Sequence, residues 1–131
     1  MPSSVTPGHT ATIRGLPRSL ARAMEAYTDR LDVEQIKDAF LLAQEAHAGQ
    51  KRASGEAYVT HAVEVATILS RLRLDTASIV AGLIHDVVED TALTLPDVDE
   101  RFGREVRLIV DGVTKIGKVR FRSHTEHQVE N

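Results

Sequence analysis

Apolar residues recur at helical spacing along most of the chain beyond residue 16. Pro17 to about Arg30 is rich in helix formers and predicts one amphipathic helix. Asp32 then reads as an N-cap, with Gln35 three residues later as its capping-box partner. Ile36, Phe40, Ala43 and His47 follow at i, i+4, i+7 and i+11, which places them on one helix face, and Gly49 supplies a stop. The segment GQKRASGEAY (49–58) reads as a loop. A second helix is expected from near Thr60, with His61, Val65, Ile68 and Leu72 sharing its inner face. Asp75 caps a third helix over roughly 76–90. Ile79, Val80, Ala81, Leu83, Ile84, Val87 and Val88 cover nearly all of its circumference, so it is expected to be central and buried. Thr94, Pro96 and Asp97 mark the start of a short fourth helix. Val106, Ile109, Val110 and Val113 make a last stripe that ends around Ile116. No strand alternation, internal repeat or Gly-rich phosphate loop interrupts this pattern, so the predicted fold class is all-α.

Length and composition narrow the function classes. The 131 residues fit one domain. Residues 1–15 are rich in Pro, Ser, Thr and Gly and are expected to be a disordered N-terminal segment, leaving 16–131 as the folded part. Residues 1–24 lack acids and carry Arg14, Arg18 and Arg22, faintly like a transit peptide; a disordered start followed by a surface helix accounts for them better. Sixteen Lys and Arg against 19 Asp and Glu give a net charge of −3, which gives no reason to expect nucleic-acid or membrane-surface binding. No apolar run is long enough to span a bilayer. The absence of cysteine excludes disulfides, zinc fingers and thiol chemistry and suits a reducing compartment. Oligomeric state is left open.

The chemistry concentrates in HDVVED, residues 85–90, at the end of the most apolar helix. His85 and Glu89 are i, i+4 neighbours, as are Asp86 and Asp90. Four ionisable groups on an otherwise greasy helix need a counter-ion or shifted protonation. A divalent metal supplies the counter-charge, and imidazole with carboxylate suits a first-row ion such as Mn or Fe. His61, on the preceding helix, can complete the site from across a helix pair. The competing readings are a hydrogen-bonded core histidine for His61 and an acidic helix end on the surface for Glu89 and Asp90, although acids there oppose the helix dipole.

The runs GQKRASGEAYVTHAVEVATIL, AGLIHDVVEDT and FGREVRLIVDGVTKIGKV resemble the hydrolase domain of RelA/SpoT-type stringent-response enzymes, within the HD phosphohydrolase superfamily. The resemblance covers roughly Leu20 to Asn131. It implies an HD-domain helical bundle in the cytoplasm that removes pyrophosphate from the 3′ position of guanosine tetra- or pentaphosphate, (p)ppGpp, with Mn²⁺. It also implies roles for particular residues. His61, His85 and Asp86 match metal ligands; Glu89 and Asp90 match the acidic pair that orients or activates water. Arg52 matches the base that stacks on guanine, and Ser54 and Tyr58 match loop residues near the nucleotide. Ala53 departs from the family's usual basic residue, and Ala57 and Ala62 from its common prolines. The family's last metal ligand is an Asp in a helix beyond the segment that reads EHQVEN here, so the chain is expected to hold the N-terminal part of the domain, an incomplete bundle. His124 and His127 are weak candidates for a substitute ligand. Lys115, Lys118, Arg120 and Arg122 read either as phosphate contacts or as a mobile basic linker. The alternative function is a non-catalytic module that binds guanine nucleotides or a partner, and a weaker one is hydrolysis of another nucleotide.

Overall fold

The computed structural model describes residues 14–46, 48 and 58–116, with Tyr58 described by its backbone alone. Helix α1 spans Arg18–Met24 and runs into a 3-10 helix at Glu25–Arg30. Then follow α2 at Val33–Ala46, α3 at Tyr58–Arg71, α4 at Thr76–Asp90 and α5 at Leu95–Phe102. A last helix, α6, covers residues 104–116. No strand occurs among the described residues, and the fold is all-α, as the periodicity predicts.

Helix α4 is the axis of the bundle. Asp75 caps it by accepting a 3.0 Å hydrogen bond from the Ser78 amide. Ala77, residues 79–84 and Val87 are all buried, so α4 hides most of its circumference. It packs against both α2 and α3, while α1 covers another side of α3. Ties between chain-distant residues fix the helix starts: the Asp32 amide donates to Thr76 Oγ1 at 2.9 Å, and Tyr27 Oη donates to the Leu74 carbonyl at 2.8 Å. Helix α5 begins with a full capping box between Thr94 and Asp97 and ends at Gly103, whose φ of 102° is left-handed territory that suits glycine. Arg107 of α6 reaches back to Asp99 of α5 at 3.3 Å, and buried Val98, Phe102, Val106 and Val110 close that end of the core.

Four expectations need correction. Pro17 to Arg30 is not one helix. Tyr27 breaks it, with φ −146° and ψ 34°, because burying its ring while its hydroxyl reaches Leu74 outweighs regular helix propensity. Gln35 does not close the capping box on Asp32. Its amide donates to Asp32 Oδ1 at 3.1 Å, but its side chain donates to the Phe102 carbonyl at 3.4 Å instead.

The inner face of α3 is also different, and that helix starts at Tyr58. Ile68 and Leu72 are 55% and 66% exposed, while Ala62, Val63, Ala66, Thr67 and Ser70 are buried. The reason is steric: α3 lies between α1 and α4, and small side chains let the helices approach. The buried hydroxyls stay satisfied, Thr67 donating to the Val63 carbonyl at 2.7 Å and Ser70 to that of Ala66 at 2.9 Å. Finally, Val113 leaves the last stripe and is 43% exposed. His47, Gly49 and the proposed disordered segment, apart from Arg14 and Gly15, lie outside the described residues.

Candidate metal centre

Two helices build the site. Helix α4 carries His85 and Asp86 at its last turns, each half-buried, with side chains 16% and 21% exposed. Helix α3 brings half-buried His61 alongside; the two imidazole rings stand 6.5 Å apart, centre to centre, inclined at 61°. One nitrogen of each histidine and a carboxylate oxygen of Asp86 all lie within 4.8 Å of one another. The approach of α3 depends on Gly82. A Cβ there would lie 2.8 Å from Leu69 Cδ1 and 3.3 Å from Val65 Cγ1 on α3.

Gly82 has a second role. Its carbonyl faces His85 Nδ1 at 3.0 Å. A carbonyl can only accept, so Nδ1 carries the proton, and in the neutral ring Nε2 carries the lone pair. That lone pair faces Asp86 Oδ1 at 3.2 Å. Two acceptors this close repel unless a cation lies between them, either a proton or a metal ion. A histidine whose second nitrogen is fixed by a backbone carbonyl is the ordinary arrangement for an imidazole ligand. Two imidazoles and a carboxylate form a nitrogen-and-oxygen donor set that fits a first-row divalent ion. The residues therefore fit such an ion.

The other predicted site residues are placed less closely. Glu89 and Asp90 are exposed at the end of α4. Glu89 follows His85 by one helical turn and borders a cavity of about 390 Å³, with Val88, Leu95, Asp111, Thr114 and Lys115. Lys115 is held by Asp111 of its own helix at 3.2 Å. Thr91 closes α4 by donating its hydroxyl to the Val87 carbonyl at 2.6 Å. Tyr58 opens α3. Arg52, Ser54, His124 and His127 lie outside the described residues, as do Lys118, Arg120 and Arg122. Sequence reasoning missed Gly82 as a site residue. Its one signal was a lone glycine inside an otherwise apolar helix, a pattern that usually has a packing reason.

The profile of the HD domain family matches residues 39–131, which include the whole trio. The chain belongs to the HD domain family. The bifunctional (p)ppGpp synthase/hydrolase SpoT of Escherichia coli K12 is 42% identical over 113 residues, 86% of this chain and 16% of SpoT. A guanosine-3′,5′-bis(diphosphate) 3′-pyrophosphohydrolase of Haemophilus influenzae is 50% identical over 91 residues, 70% of this chain and 13% of that protein. A GTP pyrophosphokinase of Streptomyces coelicolor is 45% identical over 102 residues, 78% of this chain and 12% of that protein. The HD domain chain thus spans about a sixth, or less, of each of these relatives. The matched proteins are named for both breakdown and synthesis. No described helix is long and apolar enough to cross a membrane.

Proposed function

We propose that this HD domain hydrolyses the 3′-diphosphate of (p)ppGpp, releasing inorganic diphosphate and GDP or GTP, with a Mn²⁺ ion held by His61, His85 and Asp86. The observation that carries the proposal is His85 Nε2 opposed to Asp86 at 3.2 Å, with His61 brought in from a second helix so that one ligand atom of each lies within 4.8 Å of the others. When bound, the ion supplies positive charge that acidifies water and offsets charge developing on phosphoryl oxygens.

The chain's own groups do the rest. The Gly82 carbonyl, 3.0 Å from Nδ1, orients the His85 ring so that Nε2 is the nitrogen turned toward Asp86 and available to an ion. Glu89, one turn on and solvent-accessible, takes a proton from the attacking water, and Asp90 beside it orients that water. The water oxygen bonds to the phosphorus next to the ribose. The bond from that phosphorus to the ribose 3′ oxygen breaks, and the 3′ oxygen takes up a proton from solvent to end as a hydroxyl. Arg52 stacks its planar cation on guanine, and Ser54 and Tyr58 line the nucleotide's approach.

The test is direct. Purified protein, Mn²⁺ and ppGpp are incubated and the products separated by ion-exchange chromatography. Equal amounts of GDP and diphosphate are expected, and His61→Ala is expected to abolish both. A metal-loaded protein that yields no product contradicts the proposal. Tight ppGpp binding without product would favour the second reading, a nucleotide-binding HD domain without turnover. That reading draws its support from relatives named as GTP pyrophosphokinases.

A further inference from the structure

The segment that leads into and forms α1, residues 14–24, contains three arginines and no acid. Within α1, Arg18 and Arg22 are i, i+4 neighbours and share a face. Buried Leu20 and Met24 hold α1 on α3, and this packing brings in Arg71 from the last turn of α3. Arg18, Arg22 and Arg71 line one cavity of about 460 Å³, together with Ser19. Arg18 and Arg22 also border an adjoining cavity of about 520 Å³, which Arg14 shares.

We propose that Arg18, Arg22 and Arg71 form a binding site for a small oligophosphate anion, separate from the candidate metal centre. Three arguments support it. First, the cluster has no internal counter-charge. The ion pairs among the described residues are Lys37–Glu34, His85–Asp86, Arg107–Asp99 and Lys115–Asp111, and none includes these arginines. Glu25 borders the adjoining cavity and Glu64 a third one beside Arg71, but neither pairs with a guanidinium within 4.0 Å. Like charges at i, i+4 destabilise a helix, and a chain with 19 acids does not need them grouped. Arg71 also complements the carbonyl end of α3, but that role does not ask for Arg18 and Arg22 on the same cavity.

Second, the chemistry is selective. Three guanidiniums present planar forks of donors that match phosphoryl oxygens two at a time. Third, Arg18 and Arg22 of one helix and Arg71 of another converge on the same depression, so three cations from two elements face one ligand volume. The site is distinct in space: Arg71 follows His61 by ten residues on one helix, about 15 Å along its axis at 1.5 Å per residue.

The experiment uses the full chain freed of metal with a chelator, so that it does not depend on the hydrolytic reading. Inorganic diphosphate is titrated by amide NMR and calorimetry. Saturable one-to-one binding is expected, tighter than for orthophosphate, with shifts at residues 18–23 and around Arg71. Arg18→Gln and Arg71→Gln are each expected to weaken it about tenfold or more, and Arg71→Lys less. Circular dichroism on each variant confirms unchanged helicity, which these exposed positions predict. Shifts confined to residues 58–61 and 85–90, affinity indifferent to the arginine changes, or no saturation at millimolar diphosphate each overturn the proposal. Binding only to anionic lipid vesicles or to duplex nucleic acid, tested in parallel, overturns it as well.

Discussion

Replacing Gly82 and Gly112 by alanine, one at a time, applies the same chemical change at two helical positions with opposite expected signs. Alanine exceeds glycine in helix propensity by about 1 kcal/mol, so an unobstructed site gains roughly that much. Gly112 in α6 is such a site, with nothing within 4 Å of an added Cβ. At Gly82 the new methyl meets Leu69 Cδ1 at 2.8 Å and Val65 Cγ1 at 3.3 Å. Leu69 is only partly buried and its tip can swing aside, but Val65 is stiff at χ1, so α3 itself has to give. Overpacking of this kind costs about 2 kcal/mol, which outweighs the propensity gain and leaves a net loss of about 1 kcal/mol. The two variants should therefore differ by about 2 kcal/mol, or roughly 7 °C in Tm for a domain of this size. Urea unfolding followed by circular dichroism reads the difference as a shift in midpoint at unchanged slope. Because α3 carries His61, Gly82→Ala should also weaken Mn²⁺ binding, and Gly112→Ala should not. If Gly82→Ala stabilises as much as Gly112→Ala, the close α3–α4 approach described above is wrong.

Three further outcomes follow from named contacts. Asp75→Ala removes the cap on α4 and should cost about 1 kcal/mol at neutral pH in urea unfolding. Hydrogen bonds from the Ser78 hydroxyl and amide hold the Asp75 pKa below its ordinary 3.8. Its contribution is therefore present above about pH 4 and lost as pH falls through the lowered value, so the gap from wild type should close in acid. Tyr27→Phe removes the 2.8 Å bond to Leu74 and should cost about 1 kcal/mol by the same assay. Burial raises the Tyr27 pKa above 10.0, so wild type should lose stability as pH climbs through that raised value while the phenylalanine variant does not. Glu89→Gln should lower ppGpp turnover about 100-fold or more with Mn²⁺ affinity nearly unchanged, and equal loss of both would remove its proton-accepting role.

The most legible element in the sequence was α4. Its apolar residues crowd every side of the helical wheel, and Asp75 and Thr94 cap through local bonds that need no tertiary context. The face of α3 was not legible. A stripe chosen by apolar size picked Ile68 and Leu72, while burial followed the small side chains Ala62, Ala66 and Ser70 that let two helices close in. The Tyr27 break depends on Leu74, 47 residues away, which no local propensity reports. At the site, spacing alone placed His85 and Asp86 side by side on a helix. The approach of His61 depends on helix packing, and the tautomer of His85 on a backbone carbonyl, so both required the fold.

Titration of the metal-free protein with Mn²⁺, followed by electron paramagnetic resonance and calorimetry, tests the central claim most directly. One ion per chain is expected, with affinity falling at least about 100-fold in His61→Ala and in Asp86→Asn, more than loss of an outer-shell partner typically costs. A folded protein that takes up no divalent transition metal, or one whose uptake ignores both substitutions, would contradict the account.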